Sequence, residues 1–342
     1  MSEPTSTVRR GRLPRIGAAV VVLLAIAGYV VMQYVSGEPD PRCAVVSGDG
    51  TGAAYELSAE QAVNASTVAA VGTRRGMPER AVTIALATAL QESNLHNIRH
   101  GDRDSLGLFQ QRPSQGWGTQ RQIMDPVYAA GRFYARLDKV PDYARLRLTD
   151  AAQRVQRSGF PLAYAKHEPD AALLAAALTG RAPATFTCEG RPGAGPGGPA
   201  EVRRALARDF GDGVSPKGGD ASRNGKVLRV PLAPAPKAPE ADTPRRGWEL
   251  AHWAVAHASA LHIERVSYAG REWKAGDSAD EWRKAKAGPE KSGVRGKRDN
   301  SELAAANSGS GGGGSGEDGS GSADGPGGSP ESAAEVRIVT GQ

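Results

Sequence analysis

The apolar positions between residues 57 and 180 recur with helical spacing, and they predict a mainly α domain. A first helix opens with Ser58 and Gln61 in the spacing of a capping box and ends near Gly76. Pro78 is suited to the first turn of the next helix. Further helices are predicted at residues 125–139, 148–158 and 168–179. No alternating strand pattern is found between residues 57 and 180.

After residue 190 the pattern changes, first to a Gly/Pro-rich linker at 190–226 and then to a small α+β module at 227–342. The linker contains one short helical pattern near 199–209. The module is predicted to contain a strand at 227–232, a helix at 244–262, two short strands around Gly270 and a last strand at 336–339 that returns to the same sheet. A Gly/Ser-rich tract at 289–330 interrupts it and predicts a disordered segment.

Residues 16–35 carry no charge, and twenty residues of helix span about 30 Å, the thickness of a bilayer's hydrocarbon core. Four arginines precede this segment, so the positive-inside rule places residues 1–15 in the cytoplasm. We predict a single N-terminal transmembrane helix that acts as a signal anchor in the cell membrane, followed by a tether at 36–56 and extracellular domains. The alternative is a cleaved signal peptide.

The net charge and the cysteine content limit the compartments and the partners that we expect for this chain. The net charge of +6 is modest and its positive residues are scattered among acids, so we expect no nucleic-acid partner. Cys43 and Cys188 bracket the helical domain. In an oxidising compartment a disulfide between them would close a loop of about 145 residues and stabilise the domain by up to ~5 kcal/mol. The alternative is two unpaired thiols.

A single carboxylate, Glu92, stands where the apolar stripe of the second helix stops, and that stripe consists of Val82, Leu86, Ala89 and Leu90. A carboxyl group at the edge of a buried stripe loses water, which raises its pKa. A raised pKa is what a general acid needs to protonate a leaving oxygen near neutral pH. The alternative is an ordinary surface glutamate at the C-terminus of a helix, where the helix dipole opposes its charge.

Ser93 follows Glu92, and the segment "SLGLFQQRP" begins twelve residues later at Ser105. This pairing resembles the lysozyme-like lytic transglycosylases of the soluble-transglycosylase and goose-type lysozyme group, over about residues 57–180. The resemblance implies a lysozyme-like fold for residues 57–189, with Glu92 as the catalytic acid. It also implies that Gln110 lies along the sugar-binding cleft and that Gly107 lets the backbone run close to substrate. Phe109 stands where the family usually has Met.

Two later segments extend the resemblance. "DPVYAAGRFYARL" is similar to the family's third motif, with matches at Gly131 and Tyr134. The family's fourth motif, Ala-Tyr-Asn-Ala-Gly, has its nearest counterpart in "LAYAKHE", where Tyr164 matches and the Asn and Gly are missing. The complete predicted set of substrate-binding residues is Ser93, Ser105, Gly107, Gln110, Gln111, Tyr134 and Tyr164.

The resemblance implies an enzyme that cleaves the bond between N-acetylmuramic acid and N-acetylglucosamine in peptidoglycan, with glycan strands as its partner and with no cofactor. A two-carboxylate glycosidase needs a second acid, for which the candidates are Asp102, Asp104 and Asp125. With Glu92 alone, help from the substrate's acetamido group would give a 1,6-anhydro product. With Asp102 or Asp104 positioning water, the glycosidic bond would be hydrolysed instead. The alternative function is a catalytically inactive peptidoglycan-binding or scaffold protein.

Two further groups of residues allow both a functional and a structural interpretation. His96 and His100 are four residues apart, but the two asparagines beside them predict that the helix ends first, so we predict no metal site. Four tryptophans of the second module can serve as sugar-stacking platforms or as core residues: Trp248, Trp253, Trp273 and Trp282.

Overall fold

The computed structural model describes residues 19–29, 41–190, 198–211, 214, 226–232, 243–277, 281–285 and 335–341. The predicted cytoplasmic tail (1–15) and the predicted Gly/Ser tract (289–330) lie outside the described residues. Residues 1–41 and 42–342 are separate units, and all of the chemistry discussed below belongs to the second.

The prediction of a single transmembrane helix over residues 16–35 is wrong. Helix α1 comprises residues 19–29, and the flanking positions 16–18 and 30–35 lie outside the described residues. The part of this helix that the structure describes rises roughly 16 Å, about half of the hydrocarbon thickness. Among the helices that the structure describes, none is both long enough and apolar enough to cross a bilayer.

Residues 59–178 form the predicted helices and one short helix that was not predicted, Gln120–Ile123, with two 3₁₀ turns at Pro113–Gln115 and Pro161–His167. The helices are α2 (Ala59–Arg74), α3 (Glu79–Ser93), α4 (Gln120–Ile123), α5 (Pro126–Leu137), α6 (Leu148–Gln156) and α7 (Glu168–Leu178). The capping box at the start of α2 is confirmed, because Ser58 Oγ accepts from the backbone of Gln61 and the side chain of Gln61 accepts from Ser58.

Helix α3 is the central helix of this part. Its residues from Ala81 to Leu90 are all buried, because α2, α5 and α7 pack around it. Small apolar side chains make this close packing possible on every side. The helix ends at Ser93, and Asn94 follows in the left-handed conformation (φ 51°) that is typical of a helix C-terminus. The acid at position 92 therefore lies where the core meets the surface.

A small antiparallel sheet, which the sequence pattern did not predict, flanks the helices. Its strands are β1 (Arg42–Val46), β2 (Ala54–Ser58) and β3 (Phe186–Cys188), in the order β2-β1-β3. The segment predicted as a tether thus contains two strands. They are too short for an alternating pattern to stand out, and they depend on pairing with β3, more than a hundred residues away. Cys43 and Cys188 are paired in the register and form the predicted disulfide, which is confirmed.

The second part adds helices α8 (Pro199–Phe210), α9 (Thr243–Ala256) and α10 (Ala258–Leu261) to an antiparallel five-stranded sheet. The strands are β4 (Val227–Pro231), β5 (Ile263–Tyr268), β6 (Arg271–Lys274), β7 (Arg283–Lys284) and β8 (Glu335–Thr340), in the order β4-β8-β5-β6-β7. The predicted return of the last strand is confirmed, since β8 lies between β4 and β5.

The two predicted parts pack into one compact unit, and tryptophans hold much of the contact. Trp273 Nε1 donates to the carbonyl of Cys188 at 3.2 Å, and Trp282 Nε1 donates to the carbonyl of Phe186 at 2.9 Å. Trp253 Nε1 donates to the buried carboxylate of Asp209 at 2.9 Å. All four tryptophans of this part are buried, so they are core residues and not exposed platforms for sugars.

Candidate functional site

Glu92 is held in place by contacts that fix the C-terminal end of α3 against α2. Gln61 Nε2 donates to the carbonyl of Asn94 at 2.8 Å, and Asn64 Nδ2 donates to the carbonyl of Leu95 at 2.8 Å. Both donors lie on the buried face of α2, so the last turn of α3 cannot fray. Glu92 lies in this last turn, so the same contacts hold its backbone in place.

The carboxyl group of Glu92 is mostly removed from water and accepts a hydrogen bond from a neutral donor. The hydroxyl of Tyr164 donates to Glu92 Oε1 at 2.7 Å, and the side-chain amide of Gln156 lies near the carboxyl group. Burial raises the pKa of Glu92, and this effect outweighs the influence of Tyr164 and Gln156, which lower the pKa. The predicted raised pKa therefore has the predicted cause, desolvation at the edge of the core.

Tyr164 was predicted as a substrate-binding residue, but its side chain is buried and contacts the acid itself. Tyr164 lies in the 3₁₀ turn Pro161–His167, 72 residues after Glu92 in the chain, and this turn packs beside the acid. Burial and the neighbouring Glu92 raise the pKa of Tyr164, so its hydroxyl stays protonated and can act as a donor. Its role in this geometry is to position the carboxyl group.

Gln156, which the sequence analysis missed, connects the acid to the Gly-Leu-Phe-Gln loop. Its Nε2 donates to the carbonyl of Phe109 at 2.7 Å, and its side chain lies near the carboxyl group of Glu92. It is the last residue of α6, and a glutamine on an amphipathic helix has no sequence signal that separates it from a surface residue. Only the packing of α6 against α3 identifies it.

Ser93 explains why the Glu-Ser pair and the Gly-Leu-Phe-Gln loop occur together. Its hydroxyl lies 3.1 Å from the carbonyl of Ala89 in its own helix and 2.8 Å from the carbonyl of Leu108 in the loop. The loop is thereby fixed beside the end of α3. Its glycine, Gly107, adopts φ +74°, and an added Cβ would lie 2.8 Å from the carbonyl oxygen of Ile123. The close approach that requires glycine is therefore to Ile123.

The remaining predicted loop residues lie in two different environments. Gln110 is half-buried and adopts φ +46°, and its Nε2 donates to the carbonyl of Gly107 at 3.2 Å. Ser105 is buried, and its backbone N–H donates to the carbonyl of Asp102. Gln110 is thus the one of the pair with a side chain that a ligand can reach.

Gln111 and Tyr134 were predicted as substrate-binding residues, and the structure places them in the core instead. Gln111 is 1% exposed, and its Nε2 donates to the carbonyl of Ala129 at 3.0 Å. Tyr134 is 0% exposed, and its hydroxyl donates to the carbonyl of Val68 on α2 at 3.0 Å. Buried polar groups need such partners, which explains the hydroxyl of Tyr134 and the Nε2 of Gln111 without a ligand, while the buried Oε1 of Gln111 has no partner among the described residues.

Each candidate for a second acid has another structural role or is open to solvent. Asp104 Oδ1 lies 2.7 Å from Nε of Arg112, and its Oδ2 accepts from the backbone of Ser114, so these contacts hold its pKa below the usual range. Asp125 caps α5 by accepting from the N–H of Val127. Asp102 has a side chain that is 92% exposed. Glu92 is therefore the one acid among the four with the environment of a general acid.

The histidine pair does not share a helix face, because α3 ends before it. His96 Nδ1 lies 3.0 Å from Oε2 of Glu60 on α2, while His100 is exposed. Within the described ranges, no three His, Cys, Asp or Glu side chains group together in a way that could hold a metal ion.

Comparisons with known sequences do not assign this arrangement of residues to a family. No protein-family model and no curated protein sequence matches the chain. The arrangement by itself has a defined chemical capacity. A carboxyl group of raised pKa, fixed on a rigid helix end and oriented by the hydroxyl of Tyr164, can give a proton to a leaving oxygen and take one back.

Proposed function

We propose that this chain is an exported enzyme that cleaves the glycosidic bond between N-acetylmuramic acid and N-acetylglucosamine in peptidoglycan, with Glu92 as general acid and base. The observation that carries the proposal is the environment of Glu92. Burial raises its pKa, Tyr164 orients it at 2.7 Å, and Ser93 holds the Gly-Leu-Phe-Gln loop beside it. The sequence resemblance noted above supplies the substrate class.

The proposed reaction uses one carboxyl group twice. Glu92 first donates its proton to the glycosidic oxygen, and the C1–O bond breaks as the acetamido oxygen of the muramoyl residue attacks C1. The Glu92 carboxylate then removes the proton of the muramoyl 6-hydroxyl, whose oxygen attacks C1 and displaces the acetamido oxygen. The product is a 1,6-anhydro sugar. Asp104 and Asp125 have structural partners, so Asp102 is the one of the three candidates for a second acid that would be left to position water in a hydrolytic route.

The compartment is consistent with this substrate. Cys43 and Cys188 form a disulfide, and disulfides are typical of proteins in oxidising, extracytoplasmic compartments. Peptidoglycan is found in the same compartment. We infer that the chain is exported, and the disulfide is the structural feature that supports this inference.

A second candidate function is a binding protein that keeps the cleft without turnover. Ala165 and Lys166 follow Tyr164, where the resembling family has Asn and Ala before a Gly. The missing amide removes a group that would hold the substrate's acetamido group. The catalytic proposal and this alternative differ in a single measurable property, the release of soluble products.

The test is digestion of purified peptidoglycan by the full chain, with products identified by mass. We expect 1,6-anhydro muropeptides from the wild type and none from Glu92→Gln, with both proteins sedimenting equally with the wall. Glu56→Gln, an exposed acid on β2, is the matched control and should retain activity. Reducing muropeptides would instead indicate hydrolysis. Sedimentation without products from any variant would reject catalysis and leave the binding function.

A further inference from the structure

Three arginines, two in the second half of α5 and one directly after α6, lie close enough together for their charges to interact, and no described acid forms an ion pair with them. Arg132 and Arg136 are one turn apart on α5, and Arg157 directly follows α6. Burial lowers the pKa of Arg136, and the nearby charges of Arg132 and Arg157 lower it further. In the part of the chain that the structure describes, none of these three makes an ion pair, whereas Arg112 and Arg147 do. We call this group the arginine cluster.

The cluster is held in place by backbone carbonyls and one ring, which leave most of its donors unused. Arg136 lies over the ring of Trp117 at 3.4 Å and donates to the carbonyl of Gln115 at 3.3 Å. Arg132 donates to the carbonyl of Gly116 at 3.3 Å, and its buried Nε has no hydrogen-bond partner among the described residues. Each guanidinium has five N–H donors in a planar fork that suits carboxylates.

The chain neighbours of the cluster contact the loop that lies beside the candidate active site. Gln156 immediately precedes Arg157, and its Nε2 donates to the carbonyl of Phe109 at 2.7 Å. The ring of Phe109 stacks on Phe133, which immediately follows Arg132, with centroids 4.9 Å apart. Phe109 belongs to the Gly-Leu-Phe-Gln loop that Ser93 holds next to Glu92.

Like charges held close together destabilise a folded protein unless a ligand of opposite charge binds them. We propose that the arginine cluster binds the carboxylates of the peptide stems carried by the glycan strand, next to the bond that Glu92 cleaves. This inference rests on the proposed function. Where a stem is attached, the lactyl carboxyl group of the muramoyl unit is tied up in an amide, so the stem peptides supply the carboxylates of a peptide-bearing strand.

Binding without turnover tests the proposal, using the full chain in the Glu92→Gln background. Two probes are compared: a disaccharide tetrapeptide, and the same compound with its carboxylates methyl-esterified. We expect tighter binding of the free acid, and a loss of roughly threefold to fivefold on Arg157→Gln, as for an exposed charge pair. Arg154→Gln, an exposed arginine on the same helix, is the matched control and should bind as the parent does. Added salt should reduce the difference between probes.

Equal affinity for the two probes, or an equal response to Arg157→Gln and Arg154→Gln, would overturn the inference, as would the absence of binding to either probe. Competition by an oligomer of glycerol phosphate but not by the tetrapeptide would also overturn it, and would reassign the cluster to a phosphate polymer. Cleavage of peptidoglycan by the Glu92-containing protein is measured separately. Its absence would reject the proposed function, whereas intact cleavage with equal probe affinities would reject the cluster's role alone.

Discussion

The phenol oxygen of Tyr164 lies 2.7 Å from Oε1 of Glu92. The pair joins the end of α3 to a 3₁₀ turn 72 residues later, and the tyrosine is buried behind the acid. Burial raises the pKa of Glu92, while the phenol's hydrogen bond lowers it. The two effects oppose each other, so the tyrosine adjusts both the orientation and the proton affinity of the acid.

Tyr164→Phe should therefore change the pH dependence of the proposed reaction. Loss of the donor raises the pKa of Glu92 further, so the protonated acid persists to higher pH, and the alkaline limb of kcat/KM should move to higher pH. The loss of orientation should lower kcat/KM by about tenfold, as expected for one hydrogen bond to a charged group. A pH series with a soluble glycan substrate measures both. An alkaline limb that stays in place would show that Tyr164 does not act on the acid.

Replacement of both Cys43 and Cys188 by Ser should destabilise residues 42–342. The disulfide joins residues 145 positions apart, and in the chain-entropy model a loop of that size contributes up to about 5 kcal/mol. Thermal or urea unfolding of the double variant, beside the oxidised wild type, measures the loss. Because both cysteines are buried, reductant should act on the wild type only as it unfolds. A midpoint equal to that of the wild type would contradict a stabilising role.

Acid should destabilise the packing of α9 against α7 through His252. This histidine is fully buried, its Nδ1 lies 2.8 Å from the carbonyl of Ala177, and its Nε2 has no partner among the described residues. Burial lowers its pKa to about 4, below its ordinary value of 6.5. The pKa of this base is lower in the folded state than in the unfolded state. Its contribution to stability is therefore complete above pH 6.5 and is lost as pH falls from 6.5 towards 4.

Between pH 6.5 and pH 4 the free energy of unfolding should fall by on the order of 3 kcal/mol. His257, which is also buried and close to Asp209, should add to the same trend because burial lowers its pKa too. His252→Gln should flatten the dependence of unfolding free energy on pH. His100→Gln, at an exposed position, is the control and should leave the slope unchanged. Equal slopes in both variants would show that His252 is not the acid-sensitive group.

Two glycines should respond to alanine in opposite directions. An added Cβ at Gly247 in α9 would lie 2.0 Å from Tyr268 on β5, so Gly247→Ala should force the helix from the sheet and cost about 1–3 kcal/mol or more. At Gly131 in α5 no atom lies within 4 Å of an added Cβ, and Gly131→Ala should stabilise the helix by up to about 1 kcal/mol. Chemical unfolding of both variants measures the difference. A loss of stability at Gly131 would contradict the open space described there.

Local patterns were enough to predict most helices and the acid. The 3.6-residue repeat and the Ser58 capping box place α2 and α3, and the stop in the apolar stripe points to Glu92. These features depend on neighbours within a few residues, whose interactions the sequence displays directly. The cysteine pair and the returning strand β8 were also predicted, because spacing and composition mark them.

Only the tertiary structure decided which side chains surround the acid and which are merely buried. Gln156 and Tyr164 reach Glu92 from distant positions, while Gln111 and Tyr134 turn into the core, and no local pattern separates these pairs. Strands β1 and β2 likewise exist through pairing with each other and with β3. These contacts join residues that are far apart in the chain, and they depend on how the helices pack against each other. Local sequence patterns describe only interactions between near neighbours, so they do not predict such contacts.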